Sequence, residues 1–86
     1  MKIKAYHRFK KCYDNLPAQI KKKVDNKIRL LSLNLHHSSL HTKKIKGCKG
    51  IWEVRIDIKY RMTFEIIGET IFLRVVGNHD EVLRRP

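Results

Sequence analysis

Three arginines, one histidine and one aspartate have the residue types and spacing that chemistry at a phosphodiester requires. Arg55, Arg61 and Arg74 recur in the C-terminal part of the chain, and His79 and Asp80 follow them. Arginine forks match phosphate oxygens bidentately and keep their charge at working pH. Histidine titrates near neutrality and can give or take a proton beside a phosphate. RNA supplies its own nucleophile, the 2′-hydroxyl, so positioning, charge stabilisation and proton transfer would suffice without a metal.

The charge of the chain is strongly positive and unevenly distributed. Its 86 residues include 20 Lys and Arg against 8 Asp and Glu, a formal net charge of +12. Residues 1–50 hold 14 basic and 2 acidic side chains, whereas residues 51–86 hold 6 of each. An excess of this size points to a polyanionic partner, either nucleic acid or an acidic protein. The length leaves room for one small domain and excludes a multidomain enzyme.

The N-terminus and the cysteines indicate the compartment. No apolar run approaches the roughly 20 residues that a membrane span needs, and the first residues lack the apolar core of a signal peptide. Cys12 and Cys48 are therefore expected to be reduced thiols in a cytoplasmic protein.

Apolar spacing predicts one strand and two helices in the first 35 residues. Residues 2–6 alternate polar and apolar types, as a short strand does. Residues 7–16 have helical spacing, and Pro17 ends that helix and opens the next one. One apolar stripe then follows at intervals of three and four residues: Ile20, Val24, Ile28, Leu31 and Leu35. The two segments are expected to form an αα-hairpin with a basic outer surface.

After residue 50 the apolar period changes to two, which predicts three strands in a meander over residues 52–58, 60–66 and 70–75. Gly68-Glu69 suits a two-residue turn, because glycine at the first central position permits type II′. That turn sets the expected cross-strand pairs: Ile67 with Thr70, Glu65 with Phe72, Thr63 with Arg74, and Arg61 with Val76. The predicted fold is α+β, with the helical hairpin packed on one face of a twisted antiparallel sheet and the three arginines on the other.

Each functional interpretation has a structural alternative. The arginines could simply pair with Glu53, Asp57 and Glu65 on a solvated sheet face. The lysines before the sheet either grip a nucleic-acid backbone at its edge or are solvent-exposed: Lys43, Lys44 and Lys46. Trp52 falls on the apolar strand face and is expected in the core.

Metal sites are weakly supported by the sequence. The histidines of the connector and the nearby cysteine match no common zinc-ligand spacing: His36, His37, His41 and Cys48. His79-Asp80 lacks the further ligands that a metal phosphohydrolase needs. No cofactor is therefore expected.

Several short motifs, taken in order, form a pattern that spans residues 2–83. They are Phe9 before Leu16-Pro17, His37-Ser38-Ser39-Leu40, residues 43–47 and 50–55, Tyr60-Arg61 with Phe64, and residues 76–80. The series resembles the RelE/ParE superfamily of type II toxin–antitoxin toxins, within it the RelE, YoeB and YafQ branch. The resemblance implies a single toxin domain over residues 1–86 with a microbial-RNase-like fold. It also implies an mRNA endonuclease that works on the ribosome and is held inactive by a cognate antitoxin.

The resemblance implies roles for particular residues. By position, Arg61 stabilises charge at the scissile phosphate, Arg55 contacts phosphate and His79 is the general acid or base. Relatives usually carry Tyr or Phe at or shortly after the histidine, whereas here Asp80 follows directly and is expected to orient the imidazole. By position, Lys44 and Lys46 resemble the basic residues that hold RNA, and Leu83 occupies the later aromatic slot. The charge pattern adds Lys43 and Arg74 to these expected RNA-binding residues.

Two other functions stay open at this point. A ParE-like protein would inhibit DNA gyrase by binding, with no chemical need for His79 and Arg61. A non-catalytic RNA-binding module would need only the positive charge, which supports tight but salt-sensitive binding.

Overall fold

The helical hairpin forms where the apolar spacing predicts it. The computed structural model describes residues 1–86, with α1 at His7–Asp14 and α2 at Ala18–Leu33. Both helices are slightly shorter than predicted, since Pro17 precedes α2 as its N-cap and Asn34 already has an extended backbone. No helix is long and apolar enough to cross a membrane.

The sheet has five strands and is mixed, not purely antiparallel as predicted. The strands are β1 Lys2–Ala5, β2 Lys43–Lys44, β3 Trp52–Arg55, β4 Tyr60–Ile67 and β5 Thr70–Asn78. Their spatial order is β1-β5-β4-β3-β2, and β1 runs parallel to β5 while the other neighbours are antiparallel. The alternation in β1 predicts a strand but carries no information on its direction, which follows from its placement beside the last strand.

The hydrophobic core lies between the hairpin and one face of the sheet. Its eleven buried members are Phe9, Val24, Leu31, Leu40, Val54, Ile56, Met62, Phe64, Ile71, Leu73 and Val76. Trp52 is half-buried against this core and stacks on Phe64 with 6.1 Å between ring centroids, which confirms its predicted place.

A β-bulge shifts half of the predicted residue pairs between β4 and β5. Gly68 has a φ of 62°, and the pairs next to the turn form as predicted. Beyond Phe64, however, β5 contains one extra residue, so Thr63 pairs with Val75 and Arg61 with Gly77. The pairs predicted for Thr63 and Arg61 are therefore wrong, because uniform alternation assumes a ladder without a bulge.

A third helix, α3 at His79–Arg84, follows β5 without a loop. The Asn78 side chain caps it by accepting a hydrogen bond from the Asp80 amide at 3.1 Å. Acidic residues in the first turn and Arg84 in the last complement the helix dipole. The sequence therefore contained start and stop signals for this helix, although the segment is too short for a periodic stripe.

Candidate functional site

Arg61 and His79 line one shallow depression at an end of the sheet. The register places the start of β4 beside the end of β5, and α3 begins there with His79. The backbone amide of His79 donates to the Lys59 carbonyl at 2.7 Å, which fixes α3 against the turn before β4. The lining residues are Ile58, Lys59, Arg61, Asn78, His79 and Asp80. Two of the residues predicted to be catalytic, Arg61 and His79, thus line the same depression, and Asp80 lines it with them.

Arg61 is held by three protein acceptors. Its Nε donates to Glu53 Oε1 at 3.2 Å, and its Nη1 donates to the carbonyls of Asp57 and Tyr60. The side chains of Arg61 and Glu53 are only 12% and 8% exposed. The remaining Nη2 has no partner in the chain, and since no buried side-chain nitrogen lacks a partner, Nη2 reaches solvent. The guanidinium is therefore fixed with one nitrogen available to an anion.

The His79 imidazole has one nitrogen near a carboxylate and one free. Its Nδ1 lies 3.2 Å from Asp80 Oδ1, and the ring is 42% exposed while the carboxylate is 82% exposed. A proton on Nδ1 donates to Asp80 and leaves Nε2 as the acceptor that a general base needs. Asp80 thus lies where the predicted orienting role requires it.

Arg55 lies directly opposite Arg61 across β3 and β4, on the same face of the sheet. It is half-buried, and its guanidinium makes no hydrogen bond within the protein. Like charges on directly opposite residues disfavour the pair of strands. Glu53 forms an ion pair with Arg61 but not with Arg55. A phosphate bound between the two arginines would offset the charge of both and remove that cost.

Arg74 is engaged in a separate network away from the depression. Its Nη1 donates to Glu65 Oε1 at 3.0 Å and its Nε to the Pro86 backbone oxygen at 3.0 Å. The guanidinium carbon lies 6.0 Å from the centroid of the Tyr6 ring. The Tyr6 hydroxyl donates to the same carboxylate, and this hydrogen bond raises the pKa of Tyr6. Arg74 therefore holds the C-terminal segment and does not join Arg61 and His79.

The lysines predicted to precede the sheet lie on different faces, and two of them, Lys43 and Lys44, form its edge strand β2. Lys43 pairs with Glu53 and is exposed on the face that carries the arginines. Lys44 pairs with Trp52 and its ammonium lies 5.3 Å from the centroid of the indole ring, so it belongs to the helix side. Lys46 is exposed in the following turn. Only Lys43 extends the arginine face, because successive residues of a strand point to opposite sides.

The structural alternatives are partly realised. Ion pairs join Arg61 to Glu53 and Arg74 to Glu65, whereas the Asp57 carboxylate pairs with Lys23 at 3.1 Å.

Leu83 is half-buried in α3 and is absent from the lining of the depression. No three His, Cys, Asp or Glu side chains come together as a metal-ligating group. The connector histidines and Cys48 thus form no such cluster.

Asp57 shapes the turn beside the depression, although the alternating pattern placed it within a strand. Its Oδ1 accepts from the backbone amides of Lys59 and Tyr60, each at 2.9 Å, and turns the chain between β3 and β4. Burial alone would raise the pKa of Asp57, but these amides and the Lys23 ammonium outweigh it, and the pKa is lowered. The predicted strand over residues 52–58 is therefore wrong beyond Arg55. The available signal was the aspartate itself, because Asp side chains accept from backbone amides two residues later and so favour turns.

Comparison with known proteins gives structural relatives only. No protein-family model and no curated protein sequence matches the chain. A chain of the RelB–RelE antitoxin–toxin complex from Methanococcus jannaschii is 27% identical, with a TM-score of 0.78 over 96% of this chain and 99% of that one. The YoeB/ParE toxin from Agrobacterium tumefaciens is 19% identical, with a TM-score of 0.80 over 92% and 99%. A chain of the E. coli DinJ–YafQ complex is 16% identical, with a TM-score of 0.68 over 94% and 96%.

These relatives share one α+β architecture with this chain, a helical hairpin on a five-stranded mixed sheet. The fold is therefore that of the RelE-like toxins. The similarity to the M. jannaschii chain extends over almost the whole length of both chains. The protein is therefore placed in the RelE, YoeB and YafQ superfamily.

Proposed function

We propose that this protein is the toxin of a type II toxin–antitoxin system and that it cleaves mRNA without a metal cofactor. The observation that carries the proposal is the shared depression of Arg61 and His79. Arg55 faces Arg61 across the strands and supplies a second guanidinium on the same face. This arrangement offers charge stabilisation and proton transfer to one phosphodiester, which are the two functions that RNA cleavage requires when the substrate provides the nucleophile.

The proposed mechanism is an internal transesterification. The 2′-oxygen forms a bond to phosphorus as the bond to the 5′-oxygen breaks, which yields a 2′,3′-cyclic phosphate and a 5′-hydroxyl. His79 takes the proton of the 2′-hydroxyl through Nε2 and returns it to the leaving 5′-oxygen, while Asp80 holds Nδ1. Arg61 and Arg55 stabilise the charge on the equatorial oxygens of the pentavalent phosphorus.

The proposed setting is a translating cytoplasm with a protein antitoxin as the partner. RelE and YafQ relatives are in structures with RelB and DinJ. The net charge of +12 favours an acidic or amphipathic antitoxin segment, because complementary charge accelerates encounter while apolar contacts lengthen the lifetime of a complex. The ribosome is proposed to position the mRNA in the depression.

Cleavage of mRNA in a translating extract tests the proposal. We expect His79→Ala to slow cleavage by about 10²- to 10⁴-fold, the usual contribution of a general acid or base. Arg61→Lys keeps one charge but loses the fork, and we expect it to slow cleavage as well. His36→Ala and Arg29→Ala are matched controls, because both residues are exposed outside the depression.

Undiminished cleavage by both His79→Ala and Arg61→Lys would remove the catalytic assignment. Intact mRNA with early DNA damage in induced cells would favour gyrase inhibition instead, and RNA binding without toxicity would favour a non-catalytic module.

A further inference from the structure

The turn between β3 and β4 is a rigid part of the depression. The Asp57 carboxylate accepts from the amides of Lys59 and Tyr60, and the Asp57 carbonyl accepts from Arg61. On its other side, the Lys59 carbonyl accepts from the His79 amide. The same peptide groups thus position the tip of the turn, the Arg61 side chain and the backbone of His79, so the tip has a defined location relative to Arg61 and His79.

The tip of this turn is occupied by an unexpectedly apolar residue. Ile58 is 77% exposed, the highest value among the exposed large hydrophobic residues of the chain, and it lines the depression with Arg61 and His79. Turn tips favour Gly, Asn, Asp and Ser, which form local hydrogen bonds or tolerate turn backbone, and isoleucine offers neither advantage. Single exposed apolar residues are common. Ile58 differs from these in its location, because it lies at the edge of a depression lined otherwise by polar and charged side chains and offers a ligand there an apolar surface.

We propose that Ile58 is a nucleobase subsite that packs on the base next to the scissile phosphate, with Lys59 paired to the adjoining phosphate. This rests on the proposed function, since it names how the same RNA substrate is held. Every base presents an apolar face, so one exposed side chain beside the phosphate site can bind it without reading its edge.

Binding of non-cleavable RNA tests the subsite separately from catalysis. The probes are fluorescein-labelled 2′-O-methyl RNA hexamers, one intact and six with a single abasic nucleotide at successive positions. With the full-length wild type, we expect one abasic position to weaken binding about fivefold, a loss that corresponds to partial burial of one aliphatic side chain against a base. With Ile58→Ala, the intact hexamer should bind about fivefold more weakly, and the penalty at that abasic position should disappear.

Two further variants complete the test. Ile67→Ala is the matched control, because Ile67 is also an exposed isoleucine but lies at the far end of β4, roughly 20 Å of strand away. It should keep the wild-type affinity and the abasic penalty. Ile58→Tyr should bind the intact hexamer at least as tightly as the wild type, because a ring offers a larger stacking surface.

Equal binding by Ile58→Ala and Ile67→Ala, or an abasic penalty that persists in Ile58→Ala, would overturn the subsite even if His79→Ala abolishes cleavage. An Ile58 effect seen only in ribosome-dependent cleavage, with hexamer binding unchanged, would likewise overturn it and indicate a ribosome contact. Coupling between Ile58 and one base in a protein that fails to cleave mRNA would support the subsite and refute the nuclease proposal.

Discussion

At the scale of single residues, the arginine nearest the proposed chemistry is held in place by the protein itself. Two nitrogens of the Arg61 guanidinium donate hydrogen bonds to protein acceptors, so the side chain needs little reorganisation when a phosphate binds. The same contacts make Arg61 part of the fold, because its partner Glu53 is a buried carboxylate. Loss of activity in an Arg61 variant must therefore be separated from loss of structure.

Arg61→Ala is expected to lower the free energy of unfolding by about 3 kcal/mol or more, because it leaves the Glu53 charge buried without a partner. The double variant Glu53→Gln/Arg61→Ala should recover part of this loss, since the amide carries no charge. Urea denaturation monitored by Trp52 fluorescence measures both. Arg55→Ala is the control, with an expected change below about 1 kcal/mol. A loss for Arg61→Ala no larger than that of Arg55→Ala would show that the buried pair adds nothing to stability.

At the scale of elements, the turn between β3 and β4 depends on one carboxylate. The Asp57 carboxylate accepts from two backbone amides and pairs with Lys23, so protonation would remove the ion pair and weaken both hydrogen bonds. Its pKa is lowered in the folded protein, so its contribution to stability is present above the ordinary value of 3.8 and is lost as the pH falls through the lower, folded value.

Asp57→Asn is therefore expected to be less stable than the wild type at pH 7, with a difference that shrinks as the pH falls below about 4. Other carboxylates titrate in the same range, and the comparison of the two proteins isolates the part due to Asp57. Thermal unfolding between pH 7 and pH 2 provides the measurement. Asp25→Asn is a useful control outside the turn. A stability difference independent of pH would contradict the assigned role of the charge.

The elements also show what the sequence could and could not predict. Helical spacing predicted the helical hairpin. The period-two alternation and the Gly68 turn predicted the strand order of the meander and the shared face of Arg55 and Arg61, because all of these follow from local periodicity. The end of β3 and the bulge were missed, since Asp57 and Thr63 fit an uninterrupted alternation equally well. The ion pairs of Arg61 and Arg74 follow from side-chain geometry, which spacing does not determine.

At the scale of the whole molecule, the positive charge is spread over both faces of the sheet, and only part of it lies on the face of the proposed site. Lys43 is exposed on the arginine face, whereas Lys22 is exposed on α2, which packs on the other face of the sheet. Cations that touch phosphates release counterions from the nucleic acid on binding, and those elsewhere do so much less. The salt dependence of binding thus reports which lysines contact RNA.

Lys43→Gln is expected to reduce the slope of log affinity against log salt by about 0.7 for single-stranded RNA, the contribution of one phosphate contact. Lys22→Gln removes the same charge from the net total and should leave the slope nearly unchanged. Titrations of the labelled hexamer between low and moderate salt measure both slopes. Identical slopes for the two variants would mean that RNA responds only to overall charge.

The extra residue in β5 makes the spacing along this strand a requirement of the proposed site, separate from the identity of its residues. Opposite Thr63 and Phe64, β5 contains one residue more than β4, and this extra residue places Gly77, not Val76, beside Arg61. A shortening of β5 by one residue would exchange inward and outward side chains from there to the end of the strand, with no change in the identity of any residue of the proposed site. A related chain could therefore keep every arginine and histidine and still lose the site, because a one-residue change in β5 would move the side chains that follow it to the other face. The length of β5 in related chains is thus as informative as the identity of their residues.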